Sequence, residues 1–431
     1  MERIEDKGKQ IYQLAEELFP ICRSITGNGV RETLKRLSKV YPIHVEEVPS
    51  GTTVFDWTIP LEWNLYDAYI ETLSKEKIIQ LADSNLHVMG YSEAVDKVVS
   101  KEELLNLIYT EPNQPNAIPY VTSYYKKRYG FCMTEEQKNN LKEPYYHIVI
   151  DSEFSNGSLT YGEIIIPGET KQEIFLSTYI CHPSMANNEL SGPCVLIYLA
   201  DTIAKMKHRR YTYRIVFLPE TIGSLTYLSQ NYKKMKERVI AGFNISCVGD
   251  NRTYSYLSSR YGTTLADKVA KNILEFHYPN YQKYTYLQRG SDERQYCAPG
   301  IELPVCVICR SKFGEYPEYH TSLDNMELIS PEGLQGTYEV LVKIITALEY
   351  NYFYKMACLG EPQLGKRGLY PTISKKGSYD SIKAMMDFIA YADGTNDLID
   401  ISNFIHTPID ILIDIIEKLR QNGLLLQKDK E

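Results

Sequence analysis

Apolar residues in this chain fall into two kinds of run. Unbroken stretches rich in β-branched and aromatic residues occur at Leu159–Ile166, Ile174–Ile180, Tyr213–Leu218, Ile240–Val248 and Val305–Cys309, after an earlier one at Tyr146–Asp151. Such runs predict strands buried on both faces. Between and after them, apolar positions recur at three- and four-residue spacing over Gly192–Met206, Ser224–Glu237, Thr264–Phe276 and Pro331–Phe353, which predicts helices. Strands alternating with helices describe an α/β sheet covered by helices.

The two ends of the chain read differently. Helical spacing over residues 5–20 (Ile11, Leu14, Ala15, Leu18) and over Asn28 to Leu37 opens it. From about Val45 short β-type runs take over, at Val54-Phe55-Asp56-Trp57, Pro60 to Trp63, Ala68 to Ile70, Lys77 to Ile79 and Leu86 to Val88. They predict a β-rich module inserted early in a larger domain. Near the C-terminus, helices are expected over Ser378–Ala390 and Leu398–Ile405. Thr407 is the expected N-cap and Pro408 the first residue of a third helix reaching Asn422-Gly423, with a strand at Leu424–Gln427. Three helices and a terminal strand suggest a winged helix. The expected division is 1–45 and 121–357 for the α/β domain, 46–120 for the insertion and 358–431 for the winged helix.

A length of 431 residues exceeds one ordinary core, in keeping with several domains. The net charge of −8 gives no sign of a nucleic-acid or anionic-membrane partner. The tail agrees: from Gly360 onward nine Lys/Arg face eleven Asp/Glu, and the third helix carries Asp410, Asp414 and Glu417. Phosphate neutralisation dominates DNA affinity, so this helix reads as a packing or self-association surface, and a homo-oligomer stays open. The nine cysteines lack an extracellular spacing pattern, and the first residues lack a signal-peptide core. No run is long enough to span a bilayer, and a cytoplasmic location is the expectation. Cys306 and Cys309 lie inside an apolar run and read as buried strand thiols.

Chemistry concentrates where strands give way to polar sequence: Cys181-His182-Pro183 followed by Asn188-Glu189-Leu190-Ser191-Gly192, Pro219-Glu220-Thr221, and Tyr319-His320-Thr321. Strand ends gather at one edge of an open α/β sheet, so His182, Glu220 and His320 are expected to meet there. Two imidazoles and a carboxylate are a zinc-type ligand set, and zinc with an open position can hydrolyse an amide. A Cys181–His182 nucleophile pair is set aside on the expectation that neighbours along a strand face opposite ways. No Gly-x-Ser-x-Gly elbow and no phosphate-binding glycine loop is present.

These segments, with Ser291-Asp292-Glu293-Arg294, resemble the co-catalytic zinc aminopeptidases of the M28 type. More closely, Cys22-Arg23-Ser24-Ile25-Thr26-Gly27, Val54 to Trp57, Cys181-His182-Pro183 and Glu361-Pro362-Gln363-Leu364-Gly365 resemble the aminopeptidase-like DUF4910 family, with an inserted DUF2172 domain and a C-terminal winged helix. The resemblance implies a zinc-exopeptidase-like mixed sheet flanked by helices and an association with polysaccharide biosynthesis. It also implies zinc on His182, Glu220 and His320. Asn188 stands where the M28 enzymes carry a bridging aspartate, and Ser246 or Asn244 where they carry another, so one zinc per chain is expected rather than two. Glu220 is base or ligand, with Asp292 and Glu293 as the other catalytic candidates. Arg294 and Asn188 are the substrate contacts. The function implied is hydrolysis of a peptide or amide bond in a small substrate, the alternative being a catalytically degenerate aminopeptidase fold that serves as a binding protein or regulator.

Overall fold

The computed structural model describes residues 4–124, 126–370 and 382–429. The chain forms two compact units, one of Asp6–Thr264 with Gln282–Tyr338, the other chiefly of Leu265–Tyr281 with the chain from Glu339 onward.

In the first unit an eight-stranded sheet runs in the order His44–Pro49, Ser158–Ile166, Thr212–Leu218, Glu173–Tyr179, Val239–Ile245, Val305–Cys309, Ser255–Leu257 and Gln282–Tyr284. The four strands from Thr212–Leu218 to Val305–Cys309 are parallel, with antiparallel neighbours on either side. Glu173–Tyr179 is buried along its whole length, as a central parallel strand requires. Arg214 fixes the register of three adjacent strands. Its guanidinium pairs with Glu173 on one neighbour at 2.6 Å and with Glu163 on the other at 2.5 Å. A slip by one residue would turn these buried charges away from each other. Cys306 and Cys309 are buried strand thiols, as expected.

The run at Tyr146–Asp151 is not part of this sheet. It belongs to Tyr145–Ser155, which pairs with Glu62–Thr72 and Val95–Ser100 in a separate antiparallel sheet of four strands, edged by Lys77–Gln80. The β-rich insertion therefore draws its middle strand from beyond Gly130, because a hydrophobic run does not reveal which sheet it joins. His44–Pro49, in contrast, lies at the edge of the large sheet.

In the second unit a three-stranded sheet (Asp393–Asp397, Phe353–Met356, Leu425–Lys428) accompanies helices Lys383–Tyr391, Leu398–Ile405 and Ile409–Gln421, a winged-helix arrangement. The helix expected from Ser378 begins, as far as the described residues go, at Lys383. Pro408 rather than Thr407 takes the cap position of the third helix, and the Thr407 hydroxyl donates back to the Ile405 carbonyl. Asp393–Asp397 (Asp-Gly-Thr-Asn-Asp) is a strand without any apolar signal, which sequence pattern could not show. Helix Leu265–His277, expected over the large sheet, groups instead with this unit. There Lys268 pairs with Asp397 and Asp400, both at 2.7 Å. Among the described residues no helix is long and apolar enough to cross a membrane.

The insertion is anchored by Glu62, whose oxygens take Arg31 in a bidentate pair, both contacts at 2.7 Å, and the Ser158 N–H at 3.0 Å. Arg31 first, with the Ser158 and Asn64 bonds, holds the Glu62 carboxyl down at about 2. A depressed carboxylate contributes stability above its unfolded value of about 4.3, and loses it as pH falls through the folded value. The half-exposed arginine is screened, so the contribution at pH 7 is on the order of 1–2 kcal/mol. Denaturant midpoints measured from pH 7 to 2.5 are expected to fall between about pH 4.3 and 2 in the wild type. In Glu62→Gln the midpoint at pH 7 is lower and that part of the fall is reduced.

Candidate active site

Three chain segments leave the large sheet at one edge. Strand Glu173–Tyr179 ends two residues before Cys181 and His182. A wide π-type turn over Ala186–Leu190 follows and leads into helix Ser191–Lys205. Such turns are frequent at functional sites. Gly192 is obligatory at this point, since a Cβ would sit 2.3 Å from Thr178 Oγ1 and 2.6 Å from the Ile245 carbonyl oxygen.

Strand Thr212–Leu218 ends in a tight reversal at Glu220. Thr221 has φ +65° and ψ −72°, and the Ile222 N–H donates to the Glu220 carbonyl at 2.8 Å. This is a γ-turn of the strained hand on a β-branched residue. Asp292 Oδ1 accepts the Thr221 N–H at 2.8 Å, Arg294 donates to the Thr221 hydroxyl, and the Ser224 hydroxyl donates to the Thr221 carbonyl. Ser291–Arg294 therefore clamps the turn that projects Glu220.

The third segment carries His320, itself at φ +57°. Asp324 joins it to the first. Its two oxygens accept the N–H groups of Asn187 at 2.6 Å and Asn188 at 3.0 Å, and its backbone carbonyl accepts that of Ala186. The insertion holds the same segment from the other side, where Tyr120 N–H donates to the His320 carbonyl and Ile118 exchanges bonds with Ser322.

The predicted triad is thereby brought together. The His182 and His320 rings lie 5.3 Å apart, and His182 Nε2 is 3.7 Å from Glu220 Oε2. Tyr120 packs against both rings, and Tyr319 stacks on His320 at 3.9 Å. A cavity of about 400 Å³ opens over them. Trp57, Thr58 and Pro60 from the insertion, Tyr124 and Arg294 complete its wall. Asn188 and Glu293 are not among the residues that line it. Asn188 is buried, with Nδ2 on the Tyr179 hydroxyl, while Glu293 takes the Gly290 and Ser291 N–H groups and Asn244 Nδ2. Asp292 lies behind the Glu220 turn.

Burial, with Glu220 beside it, pushes the Asp292 carboxyl up to about 8; burial also raises Glu220, against the pull of His182. Burial and the neighbouring His182 push His320 down to about 3, which leaves a neutral imidazole. Burial opposes charge on His182, but Cys181 and Glu189 outweigh it and hold this imidazole well above its ordinary value.

Two contacts lay beyond sequence reasoning. Glu189 Oε2 meets His182 Nδ1 at 2.9 Å. Arg23, wholly buried, donates to the His182 carbonyl at 2.9 Å and lies 3.7 Å from Glu189 Oε1. Arg23 sits in the Cys22–Gly27 motif, but nothing in its spacing announces a partner more than 150 residues away. The Cys181 expectation needs correction. The chain has left the strand, so Sγ lies 3.4 Å from His182 Nδ1 on the same side. Burial pushes this thiol up to about 11, and a protonated thiol is a poor nucleophile.

The donor set fits a divalent cation. Glu189 occupies Nδ1 of His182, which directs Nε2 toward Glu220, while His320 Nε2 is buried with no hydrogen-bond partner. A carboxylate on the far nitrogen of a ligating histidine is the usual outer arrangement at zinc. Cys181, His182 and Glu189 also hold three donor atoms within 4.8 Å of one another, but Glu189 and the thiol both address Nδ1.

Residues 12–351 match the family described as "Domain of unknown function (DUF4910)", and residues 352–427 match a winged helix-turn-helix. The chain belongs to the DUF4910 family. A Clostridium acetobutylicum relative, 44% identical over 92% of this chain and 91% of its own, has a name that couples polysaccharide biosynthesis with an aminopeptidase-like domain. The crystal structure of a C. acetobutylicum protein described as a peptidase matches 98% of this chain and 97% of its own, with TM-score 0.92 and 41% identity. A zinc aminopeptidase from Bacillus subtilis, 13% identical, matches 80% of this DUF4910 chain and 96% of its own with TM-score 0.57, a likeness of fold.

Glu189→Gln and Arg23→Lys are expected to weaken zinc binding by 10- to 100-fold, the usual effect of altering such outer contacts. Competition with a chromogenic chelator measures it. Unchanged affinity in both variants would assign Arg23 and Glu189 to packing alone.

Proposed function

We propose that this DUF4910 chain is a metal-dependent hydrolase of a peptide or amide bond in a small substrate, using one zinc ion held by His182, Glu220 and His320. The observation that carries this reading is the convergence of two histidines and a carboxylate on one cavity, with His320 Nε2 buried and unpartnered. Zinc supplies Lewis acidity and lowers the pKa of its water toward about 7.

The chain's own residues do the rest. Glu220 would help hold the cation, and its carboxylate takes a proton from the attacking water and hands it to the leaving nitrogen. The Thr221 turn and Asp292 keep that carboxylate aimed, and Asp292 acts through this contact rather than by touching substrate. Tyr120 touches both histidine rings, its hydroxyl shares a hydrogen bond with that of Tyr124, and burial raises its phenol far above the ordinary value, so it stays protonated and can donate to a developing oxyanion. Trp57, Pro60 and Tyr124 exclude water and limit the substrate's size. The name of the C. acetobutylicum relative supports a role in polysaccharide biosynthesis. The acidic face of helix Ile409–Gln421 favours a protein contact over DNA for the winged helix.

A second reading, a binding protein without turnover, draws on Asn188, whose amide nitrogen points at the Tyr179 hydroxyl where a metal bridge would need a carboxylate oxygen. Metal analysis separates the two. Protein purified from zinc-replete medium is expected to hold about one zinc per chain. His182→Ala and His320→Ala are each expected to lose it, and Glu220→Gln to lose amide-hydrolysing activity by at least 100-fold. Metal-free wild-type protein under those conditions would make the binding reading the primary one.

A further inference from the structure

Among the described residues that line the cavity, Arg294 is the only lysine or arginine. No carboxylate of the described residues lies within ion-pair distance of it. Its one side-chain hydrogen bond runs from Nη2 to the hydroxyl of Thr221, the residue next to Glu220. The guanidinium is thus tethered one residue from the carboxylate proposed to move the proton, with its remaining N–H groups unassigned.

We infer that this cavity takes a dipeptide or an N-acyl amino acid, and that Arg294 holds the free α-carboxylate next to the bond that is cut. This rests on the hydrolase reading above and assigns its substrate class. An arginine fork recognises a carboxylate by two parallel hydrogen bonds. Because Arg294 and Glu220 are joined through Thr221, the anion and the scissile amide must be close in the substrate as well. An amide nitrogen and a carboxylate on the same α-carbon meet that condition, whereas a carboxylate several residues away does not. The cavity, about 400 Å³ and bounded by Trp57 and Pro60, suits a molecule of that size. In the reaction one water adds to the carbonyl carbon and the C–N bond breaks. The acyl carbon keeps the water's oxygen as a carboxylate, and the water's two protons pass through Glu220 in turn to the nitrogen, which departs as an ammonium group.

The test uses zinc-loaded full-length protein and two matched pairs of probes, Ala-Ala against Ala-Ala amide and N-acetyl-alanine against N-acetylalaninamide. Binding is read separately by calorimetry with the reduced-bond isostere of Ala-Ala (CH2–NH for CO–NH) and its C-terminal amide, neither of which can be hydrolysed. The expected result is at least a tenfold preference in kcat/KM for the acid over the amide in one pair. That preference should shrink tenfold or more in Arg294→Gln, chiefly through KM, and be partly restored in Arg294→Lys. If no probe is cut but the isostere binds at least tenfold tighter than its amide, the carboxylate subsite stands and the hydrolase reading falls. Equal handling of acid and amide, a preference untouched by Arg294→Gln, or no binding of either isostere overturns the inference. Hydrolysis of the amides with no preference for the acids would keep the hydrolase and remove the subsite.

Discussion

Asp324 is the constraint on which the site is built. Its carboxylate accepts two consecutive N–H groups of the wide turn after His182, while four residues earlier its own segment presents His320. The Tyr316 hydroxyl donates to it as well, at 2.8 Å. A buried carboxylate with three donors is costly to leave unpaired, so the two loops cannot separate without exposing unsatisfied groups on both. The distance between the histidine rings is thus fixed by a residue that touches neither ring. The insertion reinforces the same loop from outside through Ile118 and Tyr120.

The sheet supplies rigidity for this arrangement and the loops supply strain. Strands Thr212–Leu218 and Glu173–Tyr179 are buried and locked in register by Arg214, so their C-terminal ends are fixed points. Glu220 leaves one such end through a γ-turn that an ordinary threonine would avoid. Strain of this kind persists only where surrounding contacts over-determine it, and Asp292, Arg294 and Ser224 do so here.

Much of this was legible in the sequence. Unbroken apolar runs located the parallel strands, and the polar residues directly after them located His182 and Glu220, because strand ends share one sheet edge. The fold class and the winged helix followed from element order and from the motifs of the DUF4910 resemblance. What escaped were relations between distant segments. Tyr145–Ser155 carried a sound strand signal but not its sheet, and Asp393–Asp397 carried no apolar signal at all. Arg23, Glu189 and Asp324 look like ordinary polar loop residues until the fold seats them against His182 and the turn beside it. The Cys181 geometry failed for a local reason. Alternation holds only inside a strand, and this one ends at Tyr179.

Charge balance sets Glu220 apart from the other carboxylates around this pocket. Glu189 is matched by Arg23 and His182, Asp324 by backbone N–H groups and Tyr316, and Glu293 by the Gly290 and Ser291 N–H groups. Asp292 escapes the cost of a buried charge differently, since at about 8 it keeps its proton at neutral pH. Glu220 is then the carboxylate facing the cavity, opposite a neutral His320 and the Nε2 of His182. That carboxylate and the two imidazole nitrogens are the donors on which the proposed zinc site rests, and none of the neighbouring carboxylates competes with Glu220 for that place.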